Sequence, residues 1–350
     1  MSEKILFVNI IKQCNMHCDR CYLTEDSRKD STTLEWDTLK KVLESEWANS
    51  GPIALIWEGG EASLAGKEHF TDMVKKSIEF MPHARQTMVT NMYSLPNWII
   101  ELSRNLFNSK IETTFAMNGK FNLAKNHNEF MQRFAKNHIR ATKEGLYCPI
   151  NLELNDHTFN LGASALIDYF EQLAPCRLEF DLSVDFESFL KNPSYTIHGY
   201  PLLPLTSSYS NFSSFLIDIW DELGKRGLQD SITSSVTYEM MNNSDSSMFG
   251  VQRGCDFLTI NPDGNLTTNP LFSDLIPTFL GNVLKSPINE IIESKKRTQL
   301  IRHEFRKTLD CGSCSYFSQC SGGPSHVPTF DGSGECAGMK RLRNYFGSSQ

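Results

Sequence analysis

The chain has 350 residues, 40% of them apolar, and a formal net charge of −7. That length suffices for one large domain plus a smaller one with a real core, and the negative balance argues against a nucleic-acid partner, which needs a basic face. No run of about eighteen uncharged apolar residues occurs, so nothing is expected to span a membrane; ten cysteines without a secretory signal at Met1-Ser2-Glu3-Lys4-Ile5 predict a reducing, oxygen-poor cytoplasm.

Residues 5–11 read as an apolar strand of a sheet covered by helices on one face and filled on the other. Directly after it comes Cys14-Asn15-Met16-His17-Cys18-Asp19-Arg20-Cys21-Tyr22. Three thiolates at this spacing hold three irons of a [4Fe–4S] cluster and leave the fourth iron without a protein ligand. An open iron can bind a small molecule and pass it an electron, whereas a structural site normally closes its coordination sphere. Zinc is the alternative, but it wants a fourth nearby ligand and His17 lies inside the motif on a turn; a disulfide framework would need an oxidising compartment.

Thr32-Thr33-Leu34-Glu35 reads as a capping box, with Trp36, Leu39, Val42, Leu43 and Trp47 following at helical spacing as core. The buried strand 52–57 runs into Glu58-Gly59-Gly60-Glu61-Ala62. Two glycines at a strand end leave backbone N–H and C=O groups unshielded, able to hold a ligand's amino group or simply to make a tight βα turn. Helix 68–80, strand 87–90 and helix 96–106 follow, with Pro96 at the helix start. Then come strand 111–116, helix 128–136, strand 147–154, helix 164–173, strand 177–183 and helix 210–223. Six βα units predict a parallel sheet with right-handed crossovers. Its active site belongs at the C-terminal strand edges, where the 14–21 loop, Gly59 to Glu61 and Thr90-Asn91 all fall. The long connection 185–208, with Phe186, Phe189, Tyr195, His198 and Tyr200, reads as a substrate-facing loop or as one packed on the barrel's side. A Pro262-Asp263-Gly264 turn then predicts a hairpin.

These motifs resemble the radical S-adenosylmethionine (SAM) superfamily, whose members share C-x3-C-x2-C, commonly followed by an aromatic residue, here Tyr22, and a Gly-Gly-Glu at the end of the second strand. The resemblance implies an α/β fold: a (βα)6 partial TIM barrel over residues 1–230 and a small auxiliary-cluster domain over 231–350. It implies that Cys14, Cys18 and Cys21 hold the cluster and that SAM's methionine amine and carboxylate chelate the open iron. Reduction then cleaves SAM to methionine and a 5′-deoxyadenosyl radical, which takes a hydrogen atom from the substrate. By the same carry-over Tyr22 lies against the adenine, Gly59, Gly60 and Glu61 hold the methionyl amine, and Asn91 contacts SAM, a strand-end turn being the other reading of Asn91. An electron donor such as flavodoxin or ferredoxin is implied. The family's Ser-x-Asp-Gly after the fourth strand is Ala116-Met117-Asn118-Gly119 here, so Ala116 receives no SAM contact and Asn118 is read as a turn residue.

The C-terminal cysteines Cys255, Cys311, Cys314, Cys320 and Cys336 resemble the SPASM extension of peptide-modifying radical SAM enzymes, C-x(9–15)-G-x4-C, then C-x2-C-x5-C-x3-C, then a distant C. Cys255 and Gly264 match the opening at slightly short spacing, Asn269 replaces the next cysteine, and Pro324 replaces the last of the central run. In the family the missing positions belong to the first auxiliary cluster. The resemblance therefore implies one auxiliary [4Fe–4S] cluster on Cys311, Cys314, Cys320 and Cys336, with Cys255 orphaned; a zinc knuckle on the same four is the alternative. Cys148, placed in the fifth strand, reads as a buried small hydrophobe or as a thiol that returns hydrogen to a substrate radical, a role open to Cys255 as well; Cys176 has no assigned role. The implied activity is oxidative modification or cross-linking of a ribosomally synthesised peptide, captured directly or through a separate leader-recognition protein. Oxidation or epimerisation of a sugar or aminocyclitol, and peptide epimerisation, are the alternatives. A non-enzymatic electron carrier would leave the open-iron motif without purpose. No catalytic residue is assigned.

Overall fold

The computed structural model describes residues 3–117, 127–196, 199–241, 256–304 and 309–347. Asn118, His198 and Cys255 lie outside the described residues. The strands are β1 (Lys4–Ile11), β2 (Ile53–Gly59), β3 (Arg85–Thr90), β4 (Glu112–Ala116), β5 (Ile150–Leu154), β6 (Cys176–Leu182) and β7 (Ile232–Ser234), then β8 (Phe257–Ile260), β9 (Asn265–Thr267) and β10 (Gly281–Asn282). They form one open sheet in the order β10-β9-β8-β1-β2-β3-β4-β5-β6-β7, parallel from β8 through β7. This is the expected α/β partial barrel, extended at both edges.

Strict alternation decides which side chains reach the helices and which line the interior. On β2, Trp57 packs edge-on against Phe70 of the helix Lys67–Phe80, so Ile56 and Glu58 point inward. On β4, Phe115 meets Phe130, Phe134, Tyr169 and Phe170 of the outer helices, so Glu112, Thr114 and Ala116 point inward. The register then places Glu153 of β5 beside Ala116, and Asp181 of β6 beside Glu153, on the same inner face.

Several expectations shift. The capping box does not form: the helix begins at Trp36 with Glu35 as its uncapped N-cap residue, because Thr33 bridges back to Ile11. The predicted helices 128–136 and 164–173 are the longer segments His127–Lys143 and Asp156–Glu171, the second broken at Gly162, whose φ of 82° no helix accommodates. β5 starts at Ile150, which leaves Cys148 ahead of the strand. The 185–208 connection contains the helix Phe186–Lys191; Phe186, Phe189 and Tyr200 are at most 2% exposed, Tyr195 is exposed, and the Phe186 ring lies 6.4 Å from that of Tyr22. The predicted hairpin is β8–β9, and β8 lies parallel against the outer edge of β1, so the C-terminal region continues the barrel sheet.

Candidate active site

The glycine pair and the cysteine loop are built as one unit. The register of β1 against β2 slips between Asn9 and Ile11, and the freed backbone is taken up by Gly60 N–H donating to Ile11 O at 3.0 Å and Glu61 N–H to Gln13 O at 2.9 Å. A Cβ on Gly59, whose φ is +144°, would lie 1.9 Å from Ile11 O, and one on Gly60 would lie 2.2 Å from Lys12 O and 2.4 Å from Gln13 O. Only glycine allows this approach. The Tyr22 hydroxyl donates to Gly59 O at 3.2 Å and so ties the far end of the loop to the same turn. Burial, then the charges of Glu58, Cys21 and Cys14, hold the Tyr22 phenol well above its ordinary range. Cys14 N–H is anchored on Arg28 O at 3.0 Å.

Glu61 is 1% exposed and its carboxylate is a strut. It accepts from Thr90 Oγ1 at 3.0 Å and 3.1 Å, from Asn91 N–H at 2.9 Å and from Ser63 Oγ at 2.8 Å. Asn91 in turn donates through Nδ2 to Asn15 Oδ1 at 2.8 Å, reaches Cys14 Sγ at 4.0 Å, and accepts from Tyr93 N–H at 2.9 Å. Tyr22, Gly59, Gly60, Glu61, Asn91 and Cys14 are thereby joined at the C-terminal ends of β1, β2 and β3. The Glu61 carboxylate and the Asn91 amide are both engaged within the chain, so a ligand's amino group would meet backbone oxygens here.

The loop is also strapped from the other side. Lys12 Nζ pairs with Asp274 Oδ1 at 2.8 Å with both side chains largely buried, and Asp274 Oδ2 accepts from Thr24 N–H at 2.8 Å and Thr24 Oγ1 at 3.1 Å. Burial alone would raise the Asp274 carboxyl, but Lys12 and Thr24 outweigh it and hold it below its usual range. Asn9, fully buried, donates through Nδ2 to Asn261 Oδ1 and Ser273 Oγ, each at 2.7 Å.

The barrel interior below the loop is acidic. Lys110 pairs with Glu112 and Arg177 with Glu179, while Glu58, Glu153 and Asp181 make no ion pair among the described residues. Burial, then Glu112, pushes the Glu58 carboxyl up to about 8; burial, then Glu153 and Glu179, pushes Asp181 up to about 6. Ser183 Oγ donates to Glu153 at 2.5 Å. Glu58 is a neutral acid at neutral pH. The sequence reading gives Glu58 no role; its position just ahead of the glycine pair, on the inward alternation of β2, is the signal that marks it.

Cys311, Cys314, Cys320 and Cys336 line one cavity of about 110 Å³, with Phe317, Thr329 and Phe330 in its wall. Cys311 lies on the turn Leu309–Gly312 and Cys320 ends the turn Phe317–Cys320, whose C-cap Ser321 takes a left-handed φ of 49°. Gly322 N–H donates to Cys320 Sγ at 3.4 Å, and the bridge Phe330 to Cys336 brings the last cysteine in. A Cβ on Gly338 would stand 2.7 Å from Cys320 Sγ. Four thiolates on one zinc ion converge at about 2.3 Å from a point; these four line a shared volume. Where the pattern lacks its cysteine, Asn269 is 4% exposed and caps the turn Pro270–Phe272 by accepting from Leu271 N–H at 2.9 Å.

Cys148 and Cys176 sit at the N-terminal ends of β5 and β6, at the end of the barrel opposite the glycine pair. Burial pushes both thiols up to about 12, so they are protonated and unreactive. No disulfide joins the nine described cysteines, and no helix among the described residues is long and apolar enough to cross a membrane.

No family model matches the chain. Among curated proteins it is similar to the cysteine-type anaerobic sulfatase-maturating enzyme of Clostridium perfringens, 22% identical over 331 residues that cover 89% of this chain and 85% of that protein. Among solved structures, native anSMEcpe with bound AdoMet superposes with a TM-score of 0.70 at 17% identity, covering 99% of this chain and 96% of that one; the same protein also superposes in its complex with AdoMet and the Cp18Cys peptide, with a TM-score of 0.66. Streptococcus suis SuiB bound to precursor peptide SuiA gives a TM-score of 0.59 at 14% identity, covering 91% of this chain and 71% of that one. Cysteine loop, glycine pair and a fold shared over nearly the whole length agree, and the chain is similar to radical SAM enzymes of the SPASM type, the sulfatase-maturating enzymes among them.

Proposed function

We propose that the protein oxidatively modifies a peptide at the C-terminal mouth of its barrel. The observation that carries this reading is the single hydrogen-bonded unit joining Cys14, Tyr22, the glycine pair, Glu61 and Asn91 there. Cys14, Cys18 and Cys21 would hold a [4Fe–4S] cluster with one open iron, and the exposed backbone at Gly59 and Gly60 would take the methionyl end of SAM. When bound, that pair supplies a 5′-deoxyadenosyl radical able to remove a hydrogen atom from an unactivated carbon. Tyr22 closes the loop over Gly59, the Glu61 strut fixes β2 against β3, and Lys12 with Asp274 keeps the loop from swinging out. Such positioning residues hold reacting groups in register without themselves reacting.

Cys311, Cys314, Cys320 and Cys336 would hold a second [4Fe–4S] cluster. Four thiolates leave no position for substrate, so this group suits electron traffic, which an oxidation requires and an epimerisation does not. An epimerase needs a hydrogen-atom donor at the mouth; of the two candidates, Cys148 is at the wrong end of its strand, and Cys255 lies outside the described residues. A peptide is favoured because a neighbour of the same fold is described with the Cp18Cys peptide and another with precursor peptide SuiA. A leader-recognition protein, and flavodoxin or ferredoxin as electron donor in an oxygen-poor cytoplasm, complete the proposal.

The test is anaerobic reconstitution of the full chain with SAM, reductant and candidate peptides. The expected result is about eight irons per chain, SAM cleavage that disappears in the Cys14→Ala, Cys18→Ala, Cys21→Ala variant, and a product lighter by two hydrogens. An unchanged product mass with one deuteron gained in heavy water would sink the oxidative reading in favour of epimerisation.

A further inference from the structure

Arg343 is 1% exposed, on the last described helix, Lys340–Gly347. Its Nε donates to Gly338 O at 3.1 Å, its guanidinium lies 5.9 Å from the centre of the Tyr316 ring, and its two terminal nitrogens are buried without a hydrogen-bond partner. A guanidinium stays charged at any physiological pH. Burying that charge with one neutral carbonyl and a ring face for company costs several kcal/mol, so a native protein keeps it only against an anion. The ionisable groups that act on it electrostatically are Cys320, Glu239, Tyr316 and Cys336; as metal ligands the two cysteines would be thiolates. Gly338, whose carbonyl holds Nε, is itself in the wall of the four-cysteine cavity, where a Cβ would stand 2.7 Å from Cys320 Sγ. Glu335, the other buried acid here, is already engaged by Ser213 Oγ at 2.8 Å and by the N–H groups of Cys336 and Arg341, each at 2.9 Å.

We propose that Arg343 is the built-in counter-charge of the four-cysteine cavity, a positioning residue that sets the reduction potential of the cluster held there. This rests on the reading of Cys311, Cys314, Cys320 and Cys336 as cluster ligands. A cluster on four thiolates is net negative and gains one more negative charge on reduction, so a fixed cation beside Cys320 stabilises the reduced form more than the oxidised one. The potential rises, and the cluster becomes the better acceptor of an electron from a product radical. Burial and net charge are among the factors that set such potentials. Glycine at 338 leaves room for Cys320 Sγ beside the backbone whose carbonyl holds the guanidinium.

The experiment uses full-length protein carrying Cys14→Ala, Cys18→Ala and Cys21→Ala, reconstituted anaerobically, so that only the C-terminal group is seen. Iron is counted and the midpoint is read by EPR during a redox titration, for this parent and with Arg343→Met or Arg343→Lys added. The expected result is about four irons in the parent and a midpoint near the parent's in the lysine variant. The methionine variant should show a reduced-to-oxidised ratio at the parent midpoint at least tenfold lower, which is about 59 mV for one electron. If the methionine variant loses its iron while the lysine variant keeps iron and midpoint, the charge requirement is shown more strongly still. An unchanged midpoint in an iron-replete methionine variant, or loss of iron from both variants, would overturn the assignment and leave Arg343 as a partner of Glu239. A parent that binds zinc or no iron would overturn the cluster itself, and the counter-charge with it.

Discussion

Glu58 and Gly60 are neighbours in the site with opposite lessons about single residues. Glu58 ionises near pH 8 in the folded chain, because of burial and then Glu112, against about 4.3 in an unfolded one. Between those values the folded state holds a proton that the unfolded state has released, so stability falls as pH rises through the window. Asp181, pushed up to about 6, adds the same sign over a lower and narrower range. Glu58→Gln should therefore flatten the decline in denaturant stability between about pH 5 and pH 8.5; a variant with the wild-type slope would show that Glu58 does not titrate there. A Cβ on Gly60 would lie 2.2 Å from Lys12 O, so the backbone that must yield to a β-branched residue is the root of the cysteine loop. Gly60→Val is expected to lower iron from about eight to about four per chain and to abolish SAM binding together. Full iron content with lost SAM binding would return the glycine to a purely ligand-facing role.

At the scale of elements, the strands were legible because their apolar runs are short, buried and bounded by turns, and the motifs fall at their ends whatever the tertiary arrangement. Boundaries were lost where side chains from elsewhere decided them: Thr33 went to Ile11 and left the cap unbuilt, and the aromatics of 185–208 found a core that pattern alone could not supply. The strap between Lys12 and Asp274 was invisible for the same reason, since its partners lie on opposite sides of the barrel's sequence. It is also the contact most exposed to failure. Asp274→Asn leaves the Lys12 ammonium buried without a counter-charge and should cost about 3 kcal/mol in urea unfolding. A paired Lys12→Met, Asp274→Leu protein should recover most of that loss while loosening Thr24 and the cysteine loop, measured as faster loss of iron to chelator. If the single and paired variants are equally unstable, the ion pair is not what holds the strap.

All the described strands belong to one sheet, and that bears on how the two regions fold. From sequence the division near residue 230 separates a barrel from an auxiliary domain, yet β7 continues the barrel beyond that point and β8 pairs with β1 along Ile5, Leu6, Phe7 and Val8. Asn9, fully buried at the heart of β1, finds its side-chain acceptors only in the C-terminal region, at Asn261 and Ser273. A chain ending after Met241 would expose a flat apolar edge on β1 and strand a buried amide at its centre. Unpaired edges of this kind template aggregation, and a buried donor without a partner costs about 1–3 kcal/mol. The 1–241 fragment is therefore expected to accumulate as insoluble protein, or as soluble aggregate by size-exclusion chromatography, even when Cys14, Cys18 and Cys21 are replaced to remove iron from consideration. Co-expression with the 242–350 segment should restore solubility if the missing edge is the cause. A soluble, monomeric 1–241 fragment with a cooperative melt would mean that the barrel closes its own edge, and that the C-terminal region docks on a finished domain rather than completing one.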